Sequence, residues 1–359
     1  MTARLRLVVL FGGRSAEHDV SCVSGLHVLR AAAEGDRYDI VPIGITHDGR
    51  WIAAAGAIAA AEGPAHALPS PDDAGGPEVD PLPTIAAEPG AQPVVVLPLV
   101  HGPMGEDGTV QGLLELAGVP YVGAGVLASA LCMDKGAAKA MLAQHGLPQP
   151  RWLSAREPDV DEAFRKAVGD ELGFPAFVKP ANLGSSVGVS KVHDAGELDA
   201  ALAEALRFDE YVIVEEGISG REIEVAVLGN SEPRASLPGE VVPSHEFYDY
   251  EDKYLDGGAG LLAPAPLADE EVAEVQRLAQ AAYRALRVDG MARVDFFYEE
   301  DGRGFLVNEL NTIPGFTPIS MYPRLWEASG LRYGELIDEL VRLALERHQR
   351  RSRFDTHRA

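Results

Sequence analysis

Arg293-Val294-Asp295-Phe296-Phe297, answered by Leu306-Val307-Asn308-Glu309-Leu310-Asn311 and closed by Thr312-Ile313-Pro314-Gly315, is the stretch that decides how this chain is read. Two apolar, alternating runs flank an Asp301-Gly302 turn, the pattern of a β-hairpin. Side chains on a strand point the same way every second residue, so Glu309 and Asn311 share one face and Arg293 and Asp295 share one face of the partner strand. Pairing the strands can bring Asp295, Glu309 and Asn311 to one point with Arg293 beside them. Three oxygen donors at one point suit Mg²⁺ shared with nucleotide phosphates. An arginine next to such an ion can hold an anion that is being formed or transferred. A solvated acidic hairpin would explain Asp295 or Glu309 alone. It does not explain polar residues interrupting apolar strands at matching spacing.

Outward from the hairpin, composition sets the frame. The chain has 359 residues, which suits two or three domains, and its apolar content of 46% is ordinary for a soluble globular protein. No apolar run approaches the roughly 20 residues of a membrane span. Met1 to Arg6 lead at once into a strand-like run, which predicts no signal peptide and a cytoplasmic location. Cys22 and Cys132 stand far apart and suggest packed residues rather than a disulfide or zinc site. A formal charge of −24 argues against a nucleic-acid partner, because a phosphate backbone would be repelled. The basic tail from Arg347 to Arg358 reads as a frayed terminus.

In chain order, Leu5 to Phe11 reads as a buried strand, then Gly12-Gly13-Arg14-Ser15-Ala16-Glu17-His18 and a helix to about Ala33. A strand, a glycine turn and a helix start make an anion-friendly site, but the spacing is not that of a dinucleotide fold. From this segment alone, Glu17 and His18 read as helix caps. Tyr38 to Ile45 and Val94 to Leu97 supply further strands of an open α/β domain. Residues 53 to 92 read as an Ala-rich helix followed by a surface excursion with little core-forming power. His101-Gly102-Pro103-Met104-Gly105-Glu106-Asp107-Gly108 follows a strand, where open sheets place ligands. Glu106 or Asp107 can cap the next helix, Val110 to Ala117.

A second domain begins near Ala124. Met133-Asp134-Lys135 opens a helix that Pro148-Gln149-Pro150 closes. Phe177-Val178-Lys179 is a strand carrying a lysine, followed by the loop Asn182 to Gly188, whose N–H groups and hydroxyls can cover phosphates. It lacks the order of a Walker loop, and a plain hairpin turn fits its glycines and serines equally well. Tyr211 to Glu216 is a strand ending in two acids, and Gly220 to Leu228 opens a third region. The aromatic and charged segment Phe247 to Gly258 suits a lid over 245–260. Asp269 to Leu286 is a patterned helix, Phe316 to Pro323 a loop, and Tyr333 to His348 the last helix.

Together these segments resemble the ATP-grasp superfamily. Gly12-Gly13-x-Ser15-x-Glu17-His18-x-Val20-Ser21, His101-Gly102-x-x-Gly105-Glu106-Asp107-Gly108, Met133-Asp134-Lys135, Gly184-Ser185-Ser186-x-Gly188 and Asn308-Glu309-x-Asn311-Thr312-x-Pro314-Gly315 narrow the likeness to the D-alanine–D-alanine ligase family, across residues 5 to about 345. The resemblance implies a three-domain α/β ATP-grasp fold: an N-terminal domain over 1–123, a central domain over 124–216 and a C-terminal domain over 217–359, with nucleotide between the last two. It implies joining of two D-alanines for peptidoglycan through a D-alanyl phosphate, with ATP and two Mg²⁺ (or Mn²⁺), a monovalent cation as an open question, and a homodimer through the N-terminal domain.

Carried over residue by residue, Glu17 would bind the ammonium of the first D-alanine, with His101 near its carboxylate. Lys135, Lys179, Ser185 and Ser186 would hold phosphates. Glu215 would face the adenine, Glu222 the ribose, and Glu216, Ile218, Lys253 and Asn308 would complete the nucleotide site. Asp295, Glu309 and Asn311 would carry the metal ions. Arg293 and the Gly315 amide would form the oxyanion hole, and Ser320 and Met321 would receive the second D-alanine's carboxylate. Tyr254 would hydrogen-bond Ser185 and orient Glu17; in the family it favours a dipeptide over a D-lactate product. The rival readings are a ligase with another acceptor, such as D-lactate, and a nucleotide-binding regulator without turnover.

Overall fold

The computed structural model describes residues 4–86, 92–242 and 260–355. β1 (Leu5–Gly12), β2 (Tyr38–Ile45), β3 (Trp51–Ala53) and β4 (Val94–Pro98) form one sheet in the order β3-β2-β1-β4, with β2 and β4 parallel to β1. Leu7 to Phe11 are fully buried, as a strand covered on both faces must be. The His18–Ala33 helix returns the chain from β1 to β2 and packs Leu26 and Leu29 on Leu7, Val9 and Phe11. The expected open α/β domain is therefore present. The loops after β1 and β4 lie side by side at the carboxyl ends of the strands, where chain direction divides and a crevice opens.

The excursion at 53–92 does more than expected. Gly56–Glu62 is the anticipated helix and Pro81–Ile85 a second short one, yet Leu68 and Ile85 reach the core. His18 and His47 stack with ring centroids 3.8 Å apart, His18 Nε2 lies 3.1 Å from Ser70 Oγ, and Asp72 accepts from His47 Nδ1 at 2.7 Å. These contacts clip the segment against the loop after β1. They arise from residues far apart in sequence, which is why composition alone did not announce them.

β5 (Trp152–Arg156), β6 (Ala176–Pro180), β7 (Ser190–Val192) and β8 (Tyr211–Glu216) make a second, antiparallel sheet ordered β5-β8-β6-β7. β9 (Arg221–Gly229), β10 (Arg234–Ala235), β11 (Gly239–Val242), β12 (Gly260–Leu262), β13 (Gly290–Glu299) and β14 (Gly304–Asn311) make the third, in the order β12-β11-β9-β13-β14 with β10 beside β9. The Asp269–Ala285 helix covers it through Val275, Leu278, Ala279 and Ala282. Ala128, Cys132, Ala138 and Leu142, from the helices Val126–Met133 and Lys135–Gln144, share that same core. The second helix ends at Gln144, ahead of the prolines at 148 and 150 expected to stop it. Both cysteines are buried and unpaired, as read.

Two expectations for the C-terminal region need correction. Residues 316–323 are not all loop, because a helix runs Met321–Ala328. Pro323 lies in its first turn, where the missing N–H has no intrahelical partner to lose. Nor is the start of the basic tail frayed. The last helix extends Tyr333–Arg351, Arg347 is buried and donates to the carbonyls of Tyr121 and Gly123, and its guanidinium sits 4.0 Å over the Tyr121 ring. Arg350 pairs with Asp289 at 2.8 Å and Arg351 with Glu115 at 2.5 Å. Arg347 thus joins the last helix to the end of the first layer. Replacing it by Met strands two buried carbonyls, and Arg347→Met is expected to lower stability by about 2 to 3 kcal/mol in urea unfolding. An unchanged midpoint would show that the contact is dispensable.

Candidate active site

The central hairpin forms as expected, with Arg293 opposite Asn311 and Asp295 opposite Glu309. It carries one feature that alternation did not announce. The register shifts between Asp295 and Phe296, so that Phe296 pairs with Val307 and Asn308 is the extra residue. A bulge re-aims side chains on the bulged strand. The consecutive Asn308 and Glu309 both line one cavity.

That cavity, about 660 Å³, opens between the second and third sheets. Such a volume accommodates a nucleotide-sized ligand. Lys135, Lys179, Ser185, Ser186, Glu215, Glu216, Ile218, Glu222, Arg293, Asp295, Asn308 and Glu309 all line it. Residues from four stretches, around Lys135, Lys179–Ser186, Glu215–Glu222 and the central hairpin, therefore come together. Lys253 and Tyr254, with the expected lid, lie outside the described residues apart from Gly260.

The charged groups are already engaged with one another. Arg293 makes a two-point contact with Asp295, 2.7 Å at each nitrogen, and reaches Glu224 at 3.2 Å. Lys135 donates to the Leu183 carbonyl at 2.6 Å and stands 3.8 Å from Glu309. Asn311 Oδ1 accepts from the Ile313 N–H at 3.0 Å. Lys179 donates to Glu215 at 2.8 Å, and Lys139 meets the same carboxylate at 3.1 Å. Burial opposes ionisation of Glu215, but the two ammonium groups prevail and hold its pKa at about 2. Glu216 is likewise held by two cations: Arg151 and Arg303 clamp it at 2.7 and 2.6 Å. Desolvation works against its charge, and these hydrogen bonds nevertheless lower its pKa.

Glu17 is the residue preceding the His18–Ala33 helix, but its side chain makes no cap bond. It accepts instead from the Ser185 hydroxyl, joining the first layer to the Gly/Ser loop of the second. Gly102, at φ 74°, makes room for it, since a Cβ there would lie 2.9 Å from Glu17 Oε2. Ser185 and Ser186 hold φ of 52° and 58°, sparsely populated for non-glycine residues. Local strain of this kind collects at functional loops. Of the two candidate caps before the next helix, Asp107 does that work, accepting from Thr109 and Met104 N–H, while Glu106 lies 3.7 Å from His101.

His101 is buried, and its Nδ1–H donates to the Ile313 carbonyl at 2.9 Å. Burial works against its charge, yet Glu106, with Glu17 beyond, keeps its pKa above the ordinary value. Ser15 Oγ donates to the His101 carbonyl at 2.7 Å, and Phe316 N–H to Ser24 Oγ at 3.3 Å. The segment after β14 is thus tied to the loop after β4 and to the His18–Ala33 helix, and the two loops of the first sheet to each other. Ser320 Oγ accepts from Thr317 N–H at 3.1 Å, close beside Gly315. The Met321 side chain is buried in the core with Leu325 and Trp326, so only its backbone N–H faces outward chemistry.

Sequence reasoning missed three residues here. Glu224 shares the face of Glu222 on β9 and could have been found from alternation. Glu106 was read only as a cap. Lys139, one turn after Lys135, carried no signal, because its role depends on which strand passes its helix.

The chain matches the family described as D-ala D-ala ligase N-terminus over residues 6–124 and that described as D-ala D-ala ligase C-terminus over 141–342. It is 48% identical to the D-alanine–D-alanine ligase of Thermoanaerobacter sp. strain X514, covering 97% of this chain and 98% of that one. The D-alanine–D-alanine ligase of Pseudarthrobacter chlorophenolicus is 50% identical, over 95% and 94%. Among solved structures, the D-alanine-D-alanine ligase from Coxiella burnetii superposes with a TM-score of 0.84 at 37% identity, over 98% of this chain and 97% of that one. The VanG D-Ala:D-Ser ligase from Enterococcus faecalis superposes with 0.83 at 36%, over 95% and 99%. This chain therefore belongs to the D-alanine–D-alanine ligase family and has its ATP-grasp fold.

Proposed function

We infer that the protein joins two D-alanines at the expense of ATP, for peptidoglycan synthesis. The observation that carries this reading is the cavity between the second and third sheets, where Lys179 on β6 and the Gly/Ser loop that follows it face a hairpin of metal-type donors. The carboxylate of the first D-alanine attacks the γ-phosphorus, the bond to ADP breaks, and an acyl phosphate forms. The amine of the second attacks that carbonyl, inorganic phosphate leaves, and the amine gives up a proton. Glu17 suits the ammonium of the first D-alanine, and its bond to Ser185 ties that site to the phosphate loop. His101, held above its ordinary pKa, suits the carboxylate.

Arg293 and the Gly315 amide suit the tetrahedral oxyanion, where preorganised donors act most strongly. The N-terminus of the Met321–Ala328 helix, with Ser320 as its leading residue, suits the second carboxylate through backbone N–H groups. Lys135, Lys179, Ser185 and Ser186 would meet phosphates, while Glu215, Glu216, Ile218 and Glu222 would surround the nucleoside. Lys253 and Tyr254 would close over them from the lid.

The donor set fits divalent metal. Like charges directly opposite on paired strands are unfavourable, yet Asp295 faces Glu309, and carboxylates outnumber the cations lining the cavity. Asp295, Glu309 and Asn311 would hold two Mg²⁺, which would neutralise phosphate charge during transfer. A cytoplasmic homodimer is the setting the family resemblance supports; no helix of the described residues is long and apolar enough to cross a membrane.

Purified protein with ATP and Mg²⁺ is expected to release phosphate only when D-alanine is added. L-alanine should not substitute, and release with D-serine or D-lactate as acceptor should be slower. Phosphate release that ignores D-alanine would refute the reading, as would faster ligation of D-serine. Glu309→Gln and Arg293→Ala should each lower turnover by about 10² or more, the scale for removing a metal ligand or an oxyanion donor. A wild-type rate for Arg293→Ala would remove it from the oxyanion hole.

A further inference from the structure

Lys139 is almost wholly buried in the Lys135–Gln144 helix and is not among the residues lining the nucleotide cavity. Its ammonium nevertheless lies 3.1 Å from Glu215 Oε1, and it donates to the Asn308 carbonyl at 3.4 Å. Asn308 is the bulged residue of β14, so one buried cation touches both the acid at the end of β8 and the bulge of the metal-type hairpin. Lys179 meets the other oxygen of the same carboxylate from the cavity side, at 2.8 Å. Glu215 thus holds two cations, of which one faces the cavity and one stands behind its wall.

Burial draws Lys139 below its ordinary pKa, while Glu215 and, from farther away, Glu309 work against that. A phosphate entering the cavity attracts Lys179, which must then loosen its hold on Glu215. A buried carboxylate left without a counter-ion is strongly disfavoured. With Lys139 in place Glu215 stays compensated, and Lys179 can transfer to phosphate.

We propose that Lys139 is a positioning residue: the standing counter-ion of Glu215, which releases Lys179 to the nucleotide and holds the Asn308 bulge in place. The proposal rests on the reading of the cavity as an ATP site. Lys139 touches no substrate. Its effect is on where Lys179 can go.

The test is binding of a non-hydrolysable ATP analogue with Mg²⁺ by calorimetry, alongside D-alanine-dependent turnover. Lys139→Met keeps the length of the side chain and removes its charge. It is expected to weaken analogue binding about ten- to a hundredfold and to raise KM for ATP more than it lowers kcat, the scale of losing one partner of a buried ion pair. Lys139→Arg should restore affinity to within a few-fold. In a Glu215→Gln background, where no carboxylate needs compensating, Lys139→Met should cost less than about threefold. That collapse of the effect is what simple packing would not produce.

Equal losses in the two backgrounds, or no loss in the first, would overturn the proposal. Should Lys139→Met not fold by itself, the Glu215→Gln pair with and without it carries the comparison against Lys139→Arg, and a large loss there overturns the proposal as well. The wild type separates the two levels of inference. If it binds no analogue, the nucleotide reading itself fails; if it binds and Lys139→Met binds equally well, only the role of Lys139 fails.

Discussion

Asp295 and Glu309 stand directly across from one another on β13 and β14, two carboxylates where a sheet would ordinarily place opposite charges or apolar partners. The arrangement persists because Arg293 grips Asp295 from two residues away and Lys135 stands within ionic reach of Glu309. Much of the surrounding architecture serves this point. β9 brings Glu222 and Glu224 alongside, the bulge interrupts β14 at Asn308 next to Glu309, and the second sheet delivers Lys179 and the Gly/Ser loop from the other side.

The bulk charge of −24 would repel a nucleotide triphosphate at a distance. Within the cavity, cations are set among the acids. Lys135, Lys179, Lys191, Arg221 and Arg293 face one cavity, and low-dielectric walls strengthen their field. Several of these cations are paired with acids already in the protein, so ligand binding is an exchange of partners rather than the capture of an ion by bare charge. The Glu215 carboxylate, shared by Lys139 and Lys179, is where that exchange is most clearly drawn.

The first layer reaches this centre by narrow but specific ties. His101 donates to the Ile313 carbonyl just beyond β14, Glu17 takes the Ser185 hydroxyl, and Arg347 secures the last helix to Tyr121 and Gly123. Each joins residues more than 150 positions apart. A proposed amino-acid site assembled from Glu17, His101 and Gly315 thus depends on three layers keeping register, which buried hydrogen bonds enforce better than apolar contact, since they tolerate little displacement.

What the sequence determined by itself was periodicity and order. Alternation in Arg293–Phe297 and Leu306–Asn311 set the hairpin and put Arg293 with Asp295, and Glu309 with Asn311, on shared faces. The continuous apolar run Leu7–Phe11 set a buried parallel strand, and the succession of motifs set the family. These are local or nearest-neighbour properties, written in spacing of two or 3.6 residues. Other features came only with the tertiary structure. The Asn308 bulge needs a partner strand to be bulged against, and the burial of Lys139 needs β8 and β14 to pass its helix. The docking of the basic tail and the clip at His18, His47 and Asp72 need surfaces that exist only after folding. Such features depend on which distant groups share a small, dry volume, and no spacing along one chain encodes that directly, because long-range contact is decided by packing of whole layers rather than by any single run of residues.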